Sequence, residues 1–148
     1  MQLEEFQDNS HKHILVVEDD PGVRYILTQI LKLGHYTVTS ADSGTDGLSL
    51  LGEKFDLITL DMELTDMHGE EFLDKLATQS KAKIDSGFGV AEPPPVLIIT
   101  GDPCNASPAY TSGLVRGLLC KPFTLREVLQ SVQTCLNGLD NSDQAFVG

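Results

Sequence analysis

The chain has 148 residues, 41% of them hydrophobic and 22% charged, with 13 Gly and 7 Pro, which suits one globular domain and excludes collagenous, coiled-coil and wholly disordered classes. Ten Lys and Arg against 22 Asp and Glu leave a net charge of −12, which repels nucleic-acid phosphates and anionic lipid and argues against direct nucleic-acid or membrane partners. No apolar run is long enough for a membrane span, and Met1-Gln2-Leu3-Glu4-Glu5 carries acids where a signal peptide needs bases, so a cytoplasmic location is expected.

Residues 1–12 and 139–148 are polar and read as flexible ends around a domain over 13–138. Within it, short β-branched runs alternate with amphipathic stretches, the pattern of βα units that build a parallel sheet. Ile14-Leu15-Val16-Val17 is the first predicted strand. Asp20 then caps a helix with Pro21 at its first position, apolar residues Val23, Ile26, Leu27, Ile30 and Leu31 at helical spacing, and a stop at Gly34. Tyr36-Thr37-Val38-Thr39 is the second strand, a helix follows over 44–53, and Phe55 to Leu60 is the third strand. A helix over 69–79 leads into Lys81-Ala82-Lys83-Ile84-Asp85-Ser86-Gly87-Phe88-Gly89-Val90-Ala91-Glu92-Pro93-Pro94-Pro95, predicted as a long loop. The fourth strand is Val96-Leu97-Ile98-Ile99, a helix is expected over 106–113, and Gly117-Leu118-Leu119-Cys120 is the fifth strand. Thr124-Leu125-Arg126-Glu127 reads as a capping box before Val128, Leu129, Val132 and Leu136, and Gly138 closes this fifth helix.

In an open parallel sheet, ligands bind beyond the carboxyl ends of the strands. Those ends carry Glu18-Asp19-Asp20, Asp61, Thr100-Gly101-Asp102 and Lys121-Pro122. Clustered carboxylates need a cation, and a hard divalent ion such as Mg2+ takes oxygen ligands and works beside phosphate. Carboxylate, metal and amine together make a phosphoryl-transfer set in which Asp61 can be the nucleophile. Asp20 is assigned to helix capping rather than to metal. Cys104, Cys120 and Cys135 match no disulfide or CxxC pattern and are expected as reduced thiols, and Asn105-Ala106-Ser107 is a chance glycosylation match. His11, His13, His35 and His68 are scattered and expected at the surface rather than as a metal set. Gly87-Phe88-Gly89 does not complete a nucleotide-binding GxGxxG, since Glu92 stands at the third glycine position.

These residues resemble the receiver domain of two-component response regulators, including the chemotaxis type. The marks are Ile14-Leu15-Val16-Val17-Glu18-Asp19-Asp20, Phe55 through Asp61-Met62-Glu63-Leu64 with Gly69, Val96-Leu97-Ile98-Ile99-Thr100-Gly101, and Cys120-Lys121-Pro122-Phe123. The resemblance implies a flavodoxin-like three-layer α/β sandwich, with a five-stranded parallel sheet of order 2-1-3-4-5 and five helices. It implies that Asp61 accepts a phosphoryl group from a phosphohistidine on a sensor histidine kinase or phosphotransfer protein. By the same resemblance Asp19 and Asp61 would bind Mg2+, Glu18 would do so through water, and Glu63 would supply its backbone carbonyl. Thr100 moves toward the phosphoryl group, the Gly101 N–H contacts it, Lys121 pairs with it, and Lys121–Pro122 is cis.

The chain departs from the family pattern in four places. Leu118 replaces a switch aromatic, Thr65 replaces a proline four residues after the acceptor, Gly113 stands one position early, and the loop before the fourth strand is long. None of these is expected to touch the phosphoryl-transfer set. The implied role is a phosphorylation-activated switch, not a turnover enzyme, that autodephosphorylates. It acts through a downstream protein or output domain by protein–protein contact at the face of the last two helices and fifth strand, as a stand-alone receiver or as part of a longer regulator. Phosphorylation-dependent homodimerisation stays open. The alternatives are a non-phosphorylated pseudo-receiver adaptor and a haloacid-dehalogenase-like phosphatase, whose DxDxT motif Asp61-Met62-Glu63-Leu64-Thr65 loosely matches.

Overall fold

The computed structural model describes residues 9–85, 92–101 and 113–137, the side chains of 80–85 excepted. In chain order the elements are β1 (His13–Val17), α1 (Pro21–Leu33), β2 (Thr37–Ala41), α2 (Gly44–Ser49), β3 (Leu57–Leu60), α3 (Gly69–Asp85), β4 (Val96–Thr100), β5 (Val115–Cys120) and α4 (Leu125–Asn137). The strands form one sheet of order β2-β1-β3-β4-β5, with every neighbouring pair parallel. The expected flavodoxin-like architecture is therefore present, with four helices among the described residues. The helix expected over 106–113 lies outside them except for Gly113, as do Cys104 and Asn105.

Side chains along a strand point alternately to opposite faces, and this alternation splits the core in two. Leu15, Val17, Ile58, Leu60 and Ile98 pack with Phe72, Leu73 and Leu76 of α3 and with Leu48 of α2. Ile14, Val16, Leu57, Leu97 and Ile99 face the other way, onto Leu27, Ile30 and Leu31 of α1 and Val128, Val132 and Cys135 of α4. Helices on both faces explain why β1, β3 and β4 are apolar with almost no alternation.

Local chemistry sets the boundaries. Asp20 Oδ1 accepts from Gly22 N at 2.8 Å and Val23 N at 3.1 Å, and Gly34 N closes α1 onto the Ile30 carbonyl. The Thr124 capping box is reciprocal: Thr124 N donates to Glu127 Oε1 at 2.8 Å, and Glu127 N donates to Thr124 Oγ1 at 3.1 Å. Ile26, expected on the buried stripe of α1, is 50% exposed, because the helix turns Leu27, Ile30 and Leu31 inward instead. The helix expected over 69–79 runs on to Asp85, so the first residues of the predicted loop are helical. That stretch, Ser80-Lys81-Ala82-Lys83-Ile84-Asp85, has good helix formers but no apolar period to reveal them. Strand β5 begins two residues earlier than expected, where a register shift beside Val96 and Leu97 breaks the pattern. Expected at the surface, His13 is half-buried: its ring lies 4.6 Å from that of Phe55 and Nε2 is 2.7 Å from Thr39 Oγ1. Cys120 and Cys135 are free thiols, and burial pushes Cys135 up to about 11.

Candidate phosphoryl-transfer site

Strands β1 and β3 are neighbours whose following helices cover opposite faces, so a crevice opens beyond their carboxyl ends. Backbone bonds carry the ladder into it: Glu18 N donates to the Ala41 carbonyl, Asp61 N to that of Val17 and Lys121 N to that of Thr100. These bonds place the residue after each strand on the rim of the crevice.

Four side chains meet there. Ligand oxygens of Glu18, Asp19 and Asp61 all lie within 4.8 Å of one another. Lys121 Nζ reaches across from β5, 2.8 Å from Glu18 Oε1 and 3.4 Å from Asp61 Oδ2. Glu18 is 1% and Asp61 6% exposed, so the charges interact through protein more than through water. Burial raises the Glu18 carboxyl above its ordinary range and the Asp61 charge adds to this, against the lowering effect of Lys121. Burial alone would lower the Lys121 ammonium, but its hydrogen bond to Glu18 and the two carboxylate charges outweigh that and raise it. Three carboxylates thus face one ammonium, a donor set of hard oxygens with negative charge in excess, which fits a divalent ion such as Mg2+.

The remaining expected residues take the following places. Thr100 ends β4 and is fully buried, and Gly101 is exposed just beyond it. Glu63 meets the cluster through its N–H, which donates to Asp61 Oδ1 at 3.2 Å, while its side chain is exposed. Leu118 is half-buried against the core layer under α2 and α3. The Lys121–Pro122 bond is cis, as the resemblance implies.

One expectation fails. Thr65, read as a departure remote from the transfer set, donates its N–H to Asp19 Oδ2 at 2.8 Å. A backbone donor leaves no residue-type signal, which is why spacing and motif did not reveal it. Two further supports were also silent. Arg24 Nη1 donates to the Glu18 carbonyl at 2.8 Å, and Asp20 N donates to Glu18 Oε2 at 3.1 Å, fixing the buried glutamate from α1 and from its own loop.

Asp66 ties the acceptor's loop to α2. Its carboxylate accepts from Gly44 N at 2.9 Å and from Thr45 N and Oγ1, each at 2.8 Å. Desolvation is the largest single influence and raises its pKa, but the hydrogen bonds from Thr45 and Gly44 together outweigh it and lower it. A carboxylate with a lowered folded pKa stabilises fully above its unfolded value, about 3.9, and loses that contribution as pH falls through the folded value. Asp66→Asn is therefore expected to melt below wild type at neutral pH, with the gap closing in acid. Melting temperatures across a pH series check this, and a gap independent of pH would contradict it.

A model of the response regulator receiver domain matches residues 14–133. The chain is 33% identical over 132 residues to the transcriptional regulatory protein GlrR of Escherichia coli, covering 86% of this chain and 27% of that protein. It is 29% identical over 129 residues to the regulatory protein VirG of Agrobacterium fabrum, covering 84% and 46%. The chain thus spans about a quarter to a half of the length of these curated relatives. Among solved structures, a CheY-like receiver domain protein from Methanospirillum hungatei superposes with a TM-score of 0.69 at 26% identity, over 88% of this chain and 97% of that one. Chemotaxis response regulator CheY4 of Vibrio cholerae gives 0.68 at 25% identity, over 84% and 98%. With its sheet order, rim residues and these matches in agreement, the chain belongs to the response regulator receiver domains, the phosphorylation-activated switches of two-component systems.

Proposed function

We propose that Asp61 is the phosphoacceptor and that the donor is a phosphohistidine on a sensor kinase or phosphotransfer protein. The observation that carries this reading is the buried meeting of Asp61 with Glu18, Asp19 and Lys121. An Asp61 carboxylate oxygen attacks phosphorus, the new O–P bond forms as the P–N bond breaks, and the electron pair leaves with the imidazole. Asp19 and Asp61 would hold Mg2+ directly, and Glu18 and the Glu63 backbone carbonyl would complete its oxygen ligands. When bound, the ion neutralises charge building on the transferring oxygens. Lys121, 3.4 Å from Asp61 Oδ2, supplies a second positive charge beside the acceptor.

Phosphorylation brings in about 1.5 to 2 negative charges. Lys121 then has a stronger partner than Glu18, and Thr100 and the Gly101 N–H turn to the new oxygens. That exchange loosens the ion pair between β1 and β5, and Leu118, packed beside the same strand end, reports it by repacking. The changed surface is read by a downstream protein or output domain, and the domain itself turns over no substrate. No helix among the described residues is long and apolar enough to cross a membrane. The phosphatase alternative gains no support, since Asp61 follows β3 rather than the first strand and the Glu63 side chain is exposed.

Incubating the chain with a small acyl phosphate and Mg2+ tests the reading by intact mass. One base-labile phosphoryl group per chain is expected, absent without Mg2+ and absent in Asp61→Asn. Labelling undiminished in Asp61→Asn, or steady turnover of a generic phosphate ester, would overturn it.

A further inference from the structure

Asp19, the half-buried carboxylate of the cluster, is bonded by the very loop that carries the acceptor. Thr65 N donates to Asp19 Oδ2 at 2.8 Å, joining residues 46 positions apart. That donor is held in place from several sides: Glu63 N lies on Asp61 Oδ1, Asp66 clamps Gly44 and Thr45, and Gly69 N closes the loop onto the Met62 carbonyl at 2.8 Å. A hydrogen bond to a charged carboxylate from an anchored N–H fixes how the carboxylate is rotated. A carboxylate oxygen of Asp19 lies within 4.8 Å of ligand oxygens of Glu18 and Asp61, so with Oδ2 held by the Thr65 N–H the entropy of orienting a metal ligand is lost on folding rather than on binding.

We propose that the Thr65 N–H is a positioning group that presets Asp19 for Mg2+. The metal affinity of this receiver then depends on a backbone donor in the acceptor's own loop. This rests on the Mg2+ reading above. It also gives meaning to a threonine where the family resemblance leads one to expect proline, the one residue that has no N–H to give.

Calorimetric titration of the full chain with Mg2+ tests it. Thr65→Ala keeps the backbone donor and should bind as wild type does, whereas Thr65→Pro should bind about ten-fold more weakly. Melting without metal is measured alongside, because a merely structural role would lower stability and leave the folded protein's affinity unchanged. Wild-type affinity in a folded Thr65→Pro variant would overturn the inference alone, and a wild type that takes no Mg2+ would overturn both it and the metal reading. A second measurement does not depend on the proline variant folding. The Thr65 amide should be protected from hydrogen exchange in metal-free wild type and lose that protection in Asp19→Ala. Equal exchange rates in the two would overturn the inference.

Discussion

Replacing Lys121 by alanine lowers the melting temperature of the metal-free protein by roughly 10 °C, and Mg2+ recovers most of the loss. The expectation follows from what the ammonium touches. Glu18 and Asp61 are almost fully buried, and Lys121 Nζ sits 2.8 Å from one and 3.4 Å from the other. Removing one partner of a buried ion pair leaves uncompensated charge, at a cost of about 3 kcal/mol. Protonation of Glu18 is the escape route, since burial already raises its pKa. A carboxyl with a raised folded pKa loses stability as pH rises through that value, so the deficit of Lys121→Ala should widen with rising pH and narrow on acidification. Thermal unfolding across pH, with and without Mg2+, checks both. An unchanged melting temperature, or a gain from Mg2+ no greater than in wild type, would show that Lys121 does not balance the acids.

Gly69→Val has the other large effect, through shape rather than charge. A Cβ at Gly69 would run into Met62 Sδ and lie 2.9 Å from Met62 Cα. Met62 is fully buried and directly follows Asp61, so the backbone that presents the acceptor has little room to retreat. A cost of about 3 kcal/mol is expected from the overpacking. Phosphorylation by the acyl phosphate should slow by about 10-fold to 100-fold, because a displacement near 1 Å is enough to spoil an attack geometry. Denaturant unfolding and the rate of mass gain measure the two effects. Wild-type values of both would mean that the close approach of Gly69 to Met62 is unimportant.

Much of this molecule is legible in its residues, and the illegible parts share a cause. Continuous apolar runs give away β1, β3 and β4 because helices cover both their faces, and Asp20 and Thr124 announce their helices through side-chain caps that the structure shows bonded as expected. The rim residues are readable because they stand at the carboxyl ends of strands: Glu18, Asp61 and Lys121 directly follow β1, β3 and β5, and Asp19 comes one residue after Glu18. The order of the strands came from family resemblance, since hydrophobic pattern does not specify which strands are neighbours. What residue types do not show is which backbone group meets which side chain. Thr65 looked like an inert departure because its contribution is a peptide N–H, common to all residues but proline. The clamp of Asp66 on the start of α2 and the bond from Arg24 to the Glu18 carbonyl are hidden for the same reason. Ile26 misled because apolar spacing alone allows a stripe wider than the sheet covers.

The most direct test locates the phosphoryl group itself. After treatment with an acyl phosphate and Mg2+, borohydride reduces an aspartyl phosphate to homoserine with release of phosphate, and peptide sequencing by mass reports the position. Homoserine at position 61, and none in the chain treated without Mg2+, is the predicted result. Homoserine at another acid, or a label resistant to reduction, would contradict the assignment of Asp61 and of the cup built around it.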